Sequence, residues 1–219
     1  MTRIRSGITA RAAELERLHA DVHRLWARRS LSADQWDAWA RGADRFDLAV
    51  RDFYSPFDHA AKALRSGETQ EVETAVQFLE ADPWCFRSGY MKAELMHRLA
   101  NGPDLDTHHH RLHDVVGRRL TDPQPRLLRH TARLAAAVWD DDLHQRVDRL
   151  PCPEPARTHQ VQLFLHLVEQ RLRTEGRTLD GCPDHRPPTA LTMRGRVVRR
   201  AGPGDRPARL RPPEWRRTI

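Results

Sequence analysis

The sequence predicts an all-α protein of stacked helical hairpins, followed by a disordered basic tail. Three observations favour this fold class. Apolar residues recur at the i, i+3, i+4 spacing of amphipathic helices along most of the chain. Ala, Leu, Arg and Glu are abundant, whereas there are few Thr and Ile and only two tyrosines, which weighs against strands. The stretch from Gly176 onward is rich in proline and arginine and has no durable apolar period, so we expect disorder there.

Residues 1–66 are expected to form an N-terminal hairpin and a short helix. Thr9 is placed to cap a first helix over about Ala10 to Arg29. Ser32 and Gln35 form a capping box that opens a second helix. Ser55-Pro56 predicts the start of a third helix, because serine followed by proline is a common helix-start pair. The second helix carries a seam that we expect in the core: Trp36, Trp39, Ala43, Phe46, Val50 and Phe53.

Residues 67–175 are expected to form helical repeats. Glu71–Gly102 is typical of a helix-turn-helix unit whose first helix is stopped by Asp82-Pro83 and whose second is capped by Ser88. A second Asp-Pro, Asp122-Pro123, lies forty residues later. The apolar positions Val72, Ala75 and Val76 match Leu112, Val115 and Val116 at that same offset. A period of about 40 to 47 residues with two helices is typical of HEAT and armadillo solenoids.

The end of this region predicts two more helices. Asp140-Asp141-Asp142 is expected to open a short helix, since carboxylates complement the helix dipole at its N-terminus. A last helix over about Pro155 to Glu175 is apolar on more than one side, so we expect it to be sandwiched between neighbours.

The segment from Phe78 to Ala100, FLEADPWCFRSGYMKAELMHRLA, resembles a block found in uncharacterised bacterial helical proteins of HEAT-like character. The resemblance implies a fold and no assigned activity. It marks as the signature of that group Asp82, Trp84, Phe86, Arg87, Gly89, Tyr90 and Lys92.

The same segment is the candidate interaction site of the folded body. Arg87 and Lys92, beside Trp84 and Tyr90, could bind an anion at the helix N-terminus opened by Ser88-Gly89. The structural alternative is that Arg87 pairs with Asp82 and the aromatic residues wedge between two helices. Both interpretations stay open at this point.

The net charge of +7 predicts a basic tail and a neutral body. Residues 176–219 hold 11 arginines against four acids, and the rest of the chain is balanced. An unknown protein partner or a nucleic acid could bind this tail. HEAT-like DNA alkylation-repair glycosylases are of similar size, but they use a basic groove that this neutral body lacks. The candidate tail residues are Arg194, Arg196, Arg199, Arg200, Arg206, Arg209, Arg211, Arg216 and Arg217.

Two groups of residues have the chemistry of metal ligands, although the sequence alone assigns no metal or cofactor. His109 and His113 have the i,i+4 spacing that lets two histidines share an ion, within the cluster His108-His109-His110 and His113-Asp114. No third ligand is placed by sequence, and a solvated helix start is the alternative. Cys152, His159, Cys182 and His185 could form a zinc-binding set of non-standard spacing.

The sequence predicts a cytoplasmic, non-catalytic interaction module of scaffold or adaptor type. There is no phosphate-binding glycine loop, His-Glu-x-x-His motif or nucleophile elbow, so we lean against an enzyme. No apolar run reaches the eighteen or so residues of a membrane span, and no secretory signal is visible. Three cysteines are too few for a disulfide framework.

Overall fold

The computed structural model describes residues 2–102, 105–121, 125–150 and 155–179. These residues form eight α-helices and two single-turn 3-10 helices and contain no strand, which confirms the all-α prediction. The short turns are Asp106–His108 and Pro125–Leu127. The α-helices are α1 (Thr2–Trp26), α2 (Ala33–Arg65), α3 (Val72–Ala81), α4 (Ser88–Leu99), α5 (His109–Thr121), α6 (Leu128–Ala137), α7 (Asp141–Asp148) and α8 (Pro155–Thr174).

The helices pack in two layers. Helix α3 contacts α1 and α5, and α5 contacts α7, so the odd-numbered helices form one layer. Helix α4 contacts α2 and α6, and α6 contacts α8, so the even-numbered helices form the other. Across the layers, α1 packs on α2, α2 on α3, α3 on α4 and α5 on α6. The core between them includes Phe53, Phe78, Leu79, Leu95, Met96, Leu112, Leu134, Phe164 and Val168.

The helix-turn-helix prediction for the central segment is confirmed in its outline. Helix α3 ends where predicted, and Asp82 before Pro83 takes a left-handed conformation with φ of 47°. Ser88 is not the cap of α4, because Arg87 occupies that position and the Ser88 hydroxyl accepts a hydrogen bond from the Cys85 amide. The six apolar positions matched at the forty-residue offset are all buried: Val72, Ala75, Val76, Leu112, Val115 and Val116.

Helix α2 runs without a break through Pro56, so the prediction of a separate third helix is wrong. A proline inside a helix has no N–H for the carbonyl four residues earlier. That carbonyl belongs to Asp52, and the Arg11 guanidinium of α1 donates to it at 2.8 Å. The neighbouring helix thus supplies the donor that the proline lacks. The Ser32 hydroxyl does accept from the Gln35 amide, as the capping box predicts.

The first helix begins earlier than predicted. Helix α1 starts at Thr2, and the Thr9 hydroxyl donates to the Arg5 carbonyl within the helix instead of capping it. The first turns of α1 contact α3, because Arg5 forms an ion pair with the buried Glu80 of α3.

The hairpin formed by α1 and α2 ends in a thinly packed arm, residues 19–49. No residue of this arm is buried, whereas Leu18 and Val50 at its base are. The predicted core position of Trp36 is therefore wrong, and its side chain is 51% exposed. At the tip, the Trp39 ring contacts the rings of Trp26 and Trp36 with centroids 5.2 and 5.1 Å away.

Helix α8 buries one face only, so the sandwiched prediction is wrong. Phe164, Val168 and Leu172 are buried, but Leu163 is exposed, because α6 is the main neighbour of α8. The first residues of the predicted tail lie on the body. Arg177 donates to the carbonyls of Ala136 and Trp139 at the end of α6, both at 3.0 Å. Arginine satisfies helix-end carbonyls in this way.

No helix among the described ranges is long and apolar enough to cross a membrane. The remaining residues of the predicted tail, 180–219, lie outside the described residues.

Candidate functional site

An open groove of about 590 Å³ runs across α2, α4 and α6. It contains two residues of the sequence-predicted interaction site, Arg87 and Tyr90. The groove is lined by Tyr54 and Asp58 of α2, by Arg87, Tyr90, Met91, Ala93, Glu94 and His97 at α4, and by His130 and Arg133 of α6.

Arg133 and His97 meet at one end of the groove. The Arg133 Nη1 atom donates to Nδ1 of His97 at 2.5 Å, and Nδ2 of Asn101 lies 3.1 Å from the same nitrogen. Arginine can only donate, so Nδ1 is an acceptor and the His97 proton sits on Nε2. Burial and the charge of Arg133 lower the pKa of His97, which is consistent with a neutral ring.

Arg133 and His130 lack complementary partners. Across the described part of the chain, no carboxylate lies within 4 Å of the half-buried Arg133 guanidinium, whose hydrogen bond goes to neutral His97. The Nδ1 atom of His130 is buried and has no hydrogen-bond partner among the described residues. Burial and Arg133 lower the pKa of His130. An anion at this end of the groove would satisfy the Arg133 guanidinium.

The outer rim is formed by Arg87 and Tyr90. Arg87 has a φ of 66°, a left-handed conformation that is uncommon for a residue with a side chain. The turn around it is fixed from two sides. The buried Tyr54 hydroxyl donates to the Phe86 carbonyl, and the Phe86 amide donates to Oε1 of Glu16 at 2.7 Å. Both rim side chains are exposed to solvent.

Two acids, Asp58 and Glu94, line the groove with its two arginines, but among the described residues neither acid forms an ion pair with Arg87 or Arg133. Glu94 pairs with Arg98 at 2.7 Å and with Arg65 at 3.5 Å. Asp58 has no ion pair among the described residues. The groove therefore offers Arg87 and Arg133 to a ligand.

Two residues of the predicted anion site belong instead to an internal ion cluster. Oδ1 of Asp82 accepts from Nζ of Lys92 at 2.6 Å and from the Arg119 guanidinium of α5. The Lys92 side chain is 1% exposed and is out of reach of a ligand. The prediction that Arg87 pairs with Asp82 is wrong, because these two buried cations occupy the carboxylate.

The other residues of the predicted site are separated from the groove. Trp84 is 74% exposed, with Nζ of Lys92 5.9 Å from its ring centroid. Phe86 packs against His19 and Phe46 at the base of the arm, with centroids 5.1 and 5.3 Å away. Gly89 lies exposed on α4, and Ser88 is buried in the turn.

The predicted histidine cluster meets α7. His113 is buried, with Nε2 3.0 Å from the Val138 carbonyl oxygen and Nδ1 3.2 Å from Oδ2 of Asp142. Nδ1 of His109 lies 3.7 Å from Oδ2 of Asp140, the residue that caps α7 as predicted. The fold thus brings carboxylates to two histidines for which the sequence placed no third ligand.

Among the remaining predicted ligands, His110 comes together with His113 and Asp142, whereas Asp114 and His108 have other partners. Asp114 pairs with Arg146 at 2.8 Å, and Nδ1 of His108 lies 3.6 Å from Glu73. His159 is exposed on α8. Three other candidates, Cys152, Cys182 and His185, lie outside the described residues, as do the nine tail arginines from Arg194 to Arg217.

The groove and the cysteine nearest to it differ in access to a ligand. None of the groove's lining residues is a serine, threonine or cysteine. Cys85 lies behind it, and burial raises the pKa of that thiol, which disfavours the reactive thiolate. The end of the groove at Arg133 can hold a carboxylate or a phosphate.

Sequence reasoning missed the cationic end of the groove. His97, His130 and Arg133 lie on helices that are separate in sequence, with Arg133 36 residues from His97. Each is a polar position on an amphipathic helix, and such positions are usually solvated. Only the packing of α4 against α6 brings them together.

Comparison of the chain with protein-family models, with curated proteins and with solved structures gave no match.

Proposed function

We propose that the chain is a non-catalytic interaction module of HEAT-like stacked hairpins whose groove binds an acidic segment of a partner protein. The order of helix contacts, with each hairpin packed on the next in two layers, supports the HEAT-like part of the proposal. Proteins of that type present extended surfaces to their partners. The resemblance of the Asp-Pro-Trp segment to such proteins points the same way.

Arg133 is the observation that carries the proposal. Removing a guanidinium from water is unfavourable unless a carboxylate or another acceptor compensates it. Arg133 is half-buried and donates to a neutral histidine, with no acid in reach among the described residues. A partner carboxylate would form a charge-assisted hydrogen bond with it.

The surroundings of the groove favour a protein partner over a free anion. Met91 and Ala93 add apolar groups to the lining, and Tyr90 is exposed at the rim. Tyrosine, tryptophan and arginine are enriched at the energetically dominant positions of protein interfaces. A peptide that pairs glutamate with leucine matches this mixture.

The proposal is tested with a fluorescent peptide of alternating Glu and Leu and with its counterpart that carries Gln in place of Glu. Arg133→Met should weaken binding of the Glu peptide about tenfold or more, because a hydrogen bond between charged groups is lost. Arg129→Met is the matched control, since Arg129 is an exposed arginine of the same helix. Equal binding of both peptides, or an unchanged affinity in Arg133→Met, would refute the proposal.

Nucleic-acid binding through the tail is the second candidate function. It is favoured by the charge distribution, since residues 176–219 carry the whole positive excess of the chain. Replacing the nine tail arginines with glutamine in the full-length protein should abolish salt-dependent binding of a single-stranded oligonucleotide. Oligonucleotide binding that survives this change, or that is absent from the wild-type protein, would dismiss this candidate.

A further inference from the structure

We propose that His109, His113 and Asp140 form a zinc-binding site between α5 and α7. The two histidines are one helical turn apart on α5, and Asp140 begins α7 opposite them. Nε2 of His113 lies 3.5 Å from Oδ1 of Asp140, and Nδ1 of His109 lies 3.7 Å from Oδ2. Zinc bonds of about 2.0–2.1 Å in a tetrahedron place ligand atoms about 3.4 Å apart. Both nitrogen–oxygen distances fit after shifts of a few tenths of an ångström, and all three ligand atoms lie within 4.8 Å of one another.

Further carboxylates lie behind both histidines. Oδ2 of Asp142 is 3.2 Å from Nδ1 of His113, and Oδ1 of Asp106 is 3.7 Å from Nε2 of His109. In metal sites the second nitrogen of a ligating histidine usually donates to such a group, which fixes the tautomer. The Nε2–H of His113 donates to the Val138 carbonyl, so zinc binding requires this proton to move to Nδ1, beside Asp142. The inner nitrogens of both rings then present lone pairs to one point near Asp140.

A competing set, His110, His113 and Asp142, also brings its ligand atoms together. It is less suited to a cation because Nε of Arg146 already donates to Oδ2 of Asp142 at 2.9 Å. Among the described residues, Asp140 has no ion pair with an arginine or a lysine. The charge of Asp140 is therefore not neutralised by an arginine or a lysine, and its Oδ1 atom accepts only the Leu143 amide that it caps.

The proposed site has a route to solvent. His109 lines a cavity of about 470 Å³ between α4 and the end of α8, so an ion can reach its ring. The Val138 carbonyl oxygen lies 3.0 Å from Nε2 of His113, near enough to serve as a fourth ligand or to orient a water. Imidazole and carboxylate ligands in this number favour zinc among the common cellular divalent ions.

Isothermal titration of the chelator-treated, full-length protein with zinc chloride tests the site. His109→Ala and Asp140→Asn should each lower the affinity for zinc about tenfold or more. Asparagine is a good helix cap, so Asp140→Asn removes the ligand charge and keeps the start of α7. His23→Ala is the matched control, because His19 and His23 form another i,i+4 pair outside this site.

Cobalt(II) in place of zinc gives a second readout, since a tetrahedral site produces visible absorption. Those bands should appear in the wild type and in His23→Ala and should be lost in His109→Ala. Zinc affinities that are unchanged in both site variants would overturn the proposal. Zinc binding that is lost only when Cys152 and Cys182 are replaced by serine would overturn it too, because the ion would then occupy the cysteine-histidine set.

Discussion

Replacing Asp82 with asparagine is expected to destabilise the protein by about 3 kcal/mol. Its Oδ1 atom is the acceptor for both Lys92 and Arg119, whose side chains are 1% and 4% exposed. Removing one partner of a buried pair costs about 3–5 kcal/mol, because a charge is left without compensation. We take the lower end of that range, since Asp82 itself is about a third exposed and water can enter.

Urea unfolding measures this effect. With a denaturant slope of about 2 kcal/mol/M, a loss of about 3 kcal/mol moves the midpoint down by about 1.5 M. Asp58→Asn is the matched control, because that exposed aspartate has no ion pair among the described residues and its replacement should leave the midpoint in place. A midpoint for Asp82→Asn that stays with the control would refute the reasoning.

Rescue separates the charge explanation from a packing defect. Lys92→Met in the Asp82→Asn protein removes one of the two orphaned cations, so it should restore part of the lost stability. Burial lowers the pKa of Lys92 although Asp82 opposes that shift. When folding lowers the pKa of a lysine, the folded protein becomes more stable as the pH rises towards the ordinary lysine pKa. The loss of stability in Asp82→Asn should therefore shrink at about pH 10.

Three further predictions concern stability. Burial raises the pKa of Glu80, but its arginine partners outweigh this and hold that pKa below the ordinary value, so its stabilisation is present above pH 4.5 and is lost below it. The difference in unfolding free energy between wild type and Glu80→Gln should therefore shrink as the pH falls below that value. Gly117→Ala should stabilise α5 by about 0.5–1 kcal/mol, since its added methyl group meets open space. Gly67→Ala should destabilise the protein, because Gly67 has a φ of 83°. Thermal unfolding distinguishes the two variants, with a higher midpoint for the first and a lower one for the second. Arg11→Met should lower the unfolding free energy by about 1 kcal/mol in the wild-type background. The loss should be smaller in the Pro56→Ala background, where the helix regains its own N–H donor. A double-mutant cycle measured by urea unfolding gives the coupling between the two residues.

The sequence predicted the helices better than their lengths. Periodic apolar positions such as Val76 and Val116 are buried as expected, because amphipathic spacing depends only on local geometry. The predicted helix start at Pro56 was wrong, because Arg11 of α1 donates the hydrogen bond that the proline cannot. The prediction that Trp36 lies in the core was wrong, because a regular apolar seam does not show where the neighbouring helix ends.

The candidate sites were predictable only in part. The resemblance drew attention to Arg87 and Lys92 together, yet one lies at the groove and the other is buried beneath it. Side chains one helical turn apart can be paired from sequence, as with His109 and His113. Contacts between separate helices, such as Arg133 with His97, depend on packing angles that no local pattern contains.

The absence of buried side chains over residues 19–49 has a consequence for dynamics. A segment with few shielded contacts opens at a lower free energy than the body to which it is attached. Amide protons in α2 ahead of Val50 should therefore exchange with heavy water sooner than those after Phe53, although all belong to one helix. Within residues 2–102, a protease added to the folded protein should first cleave the connection around Ser30.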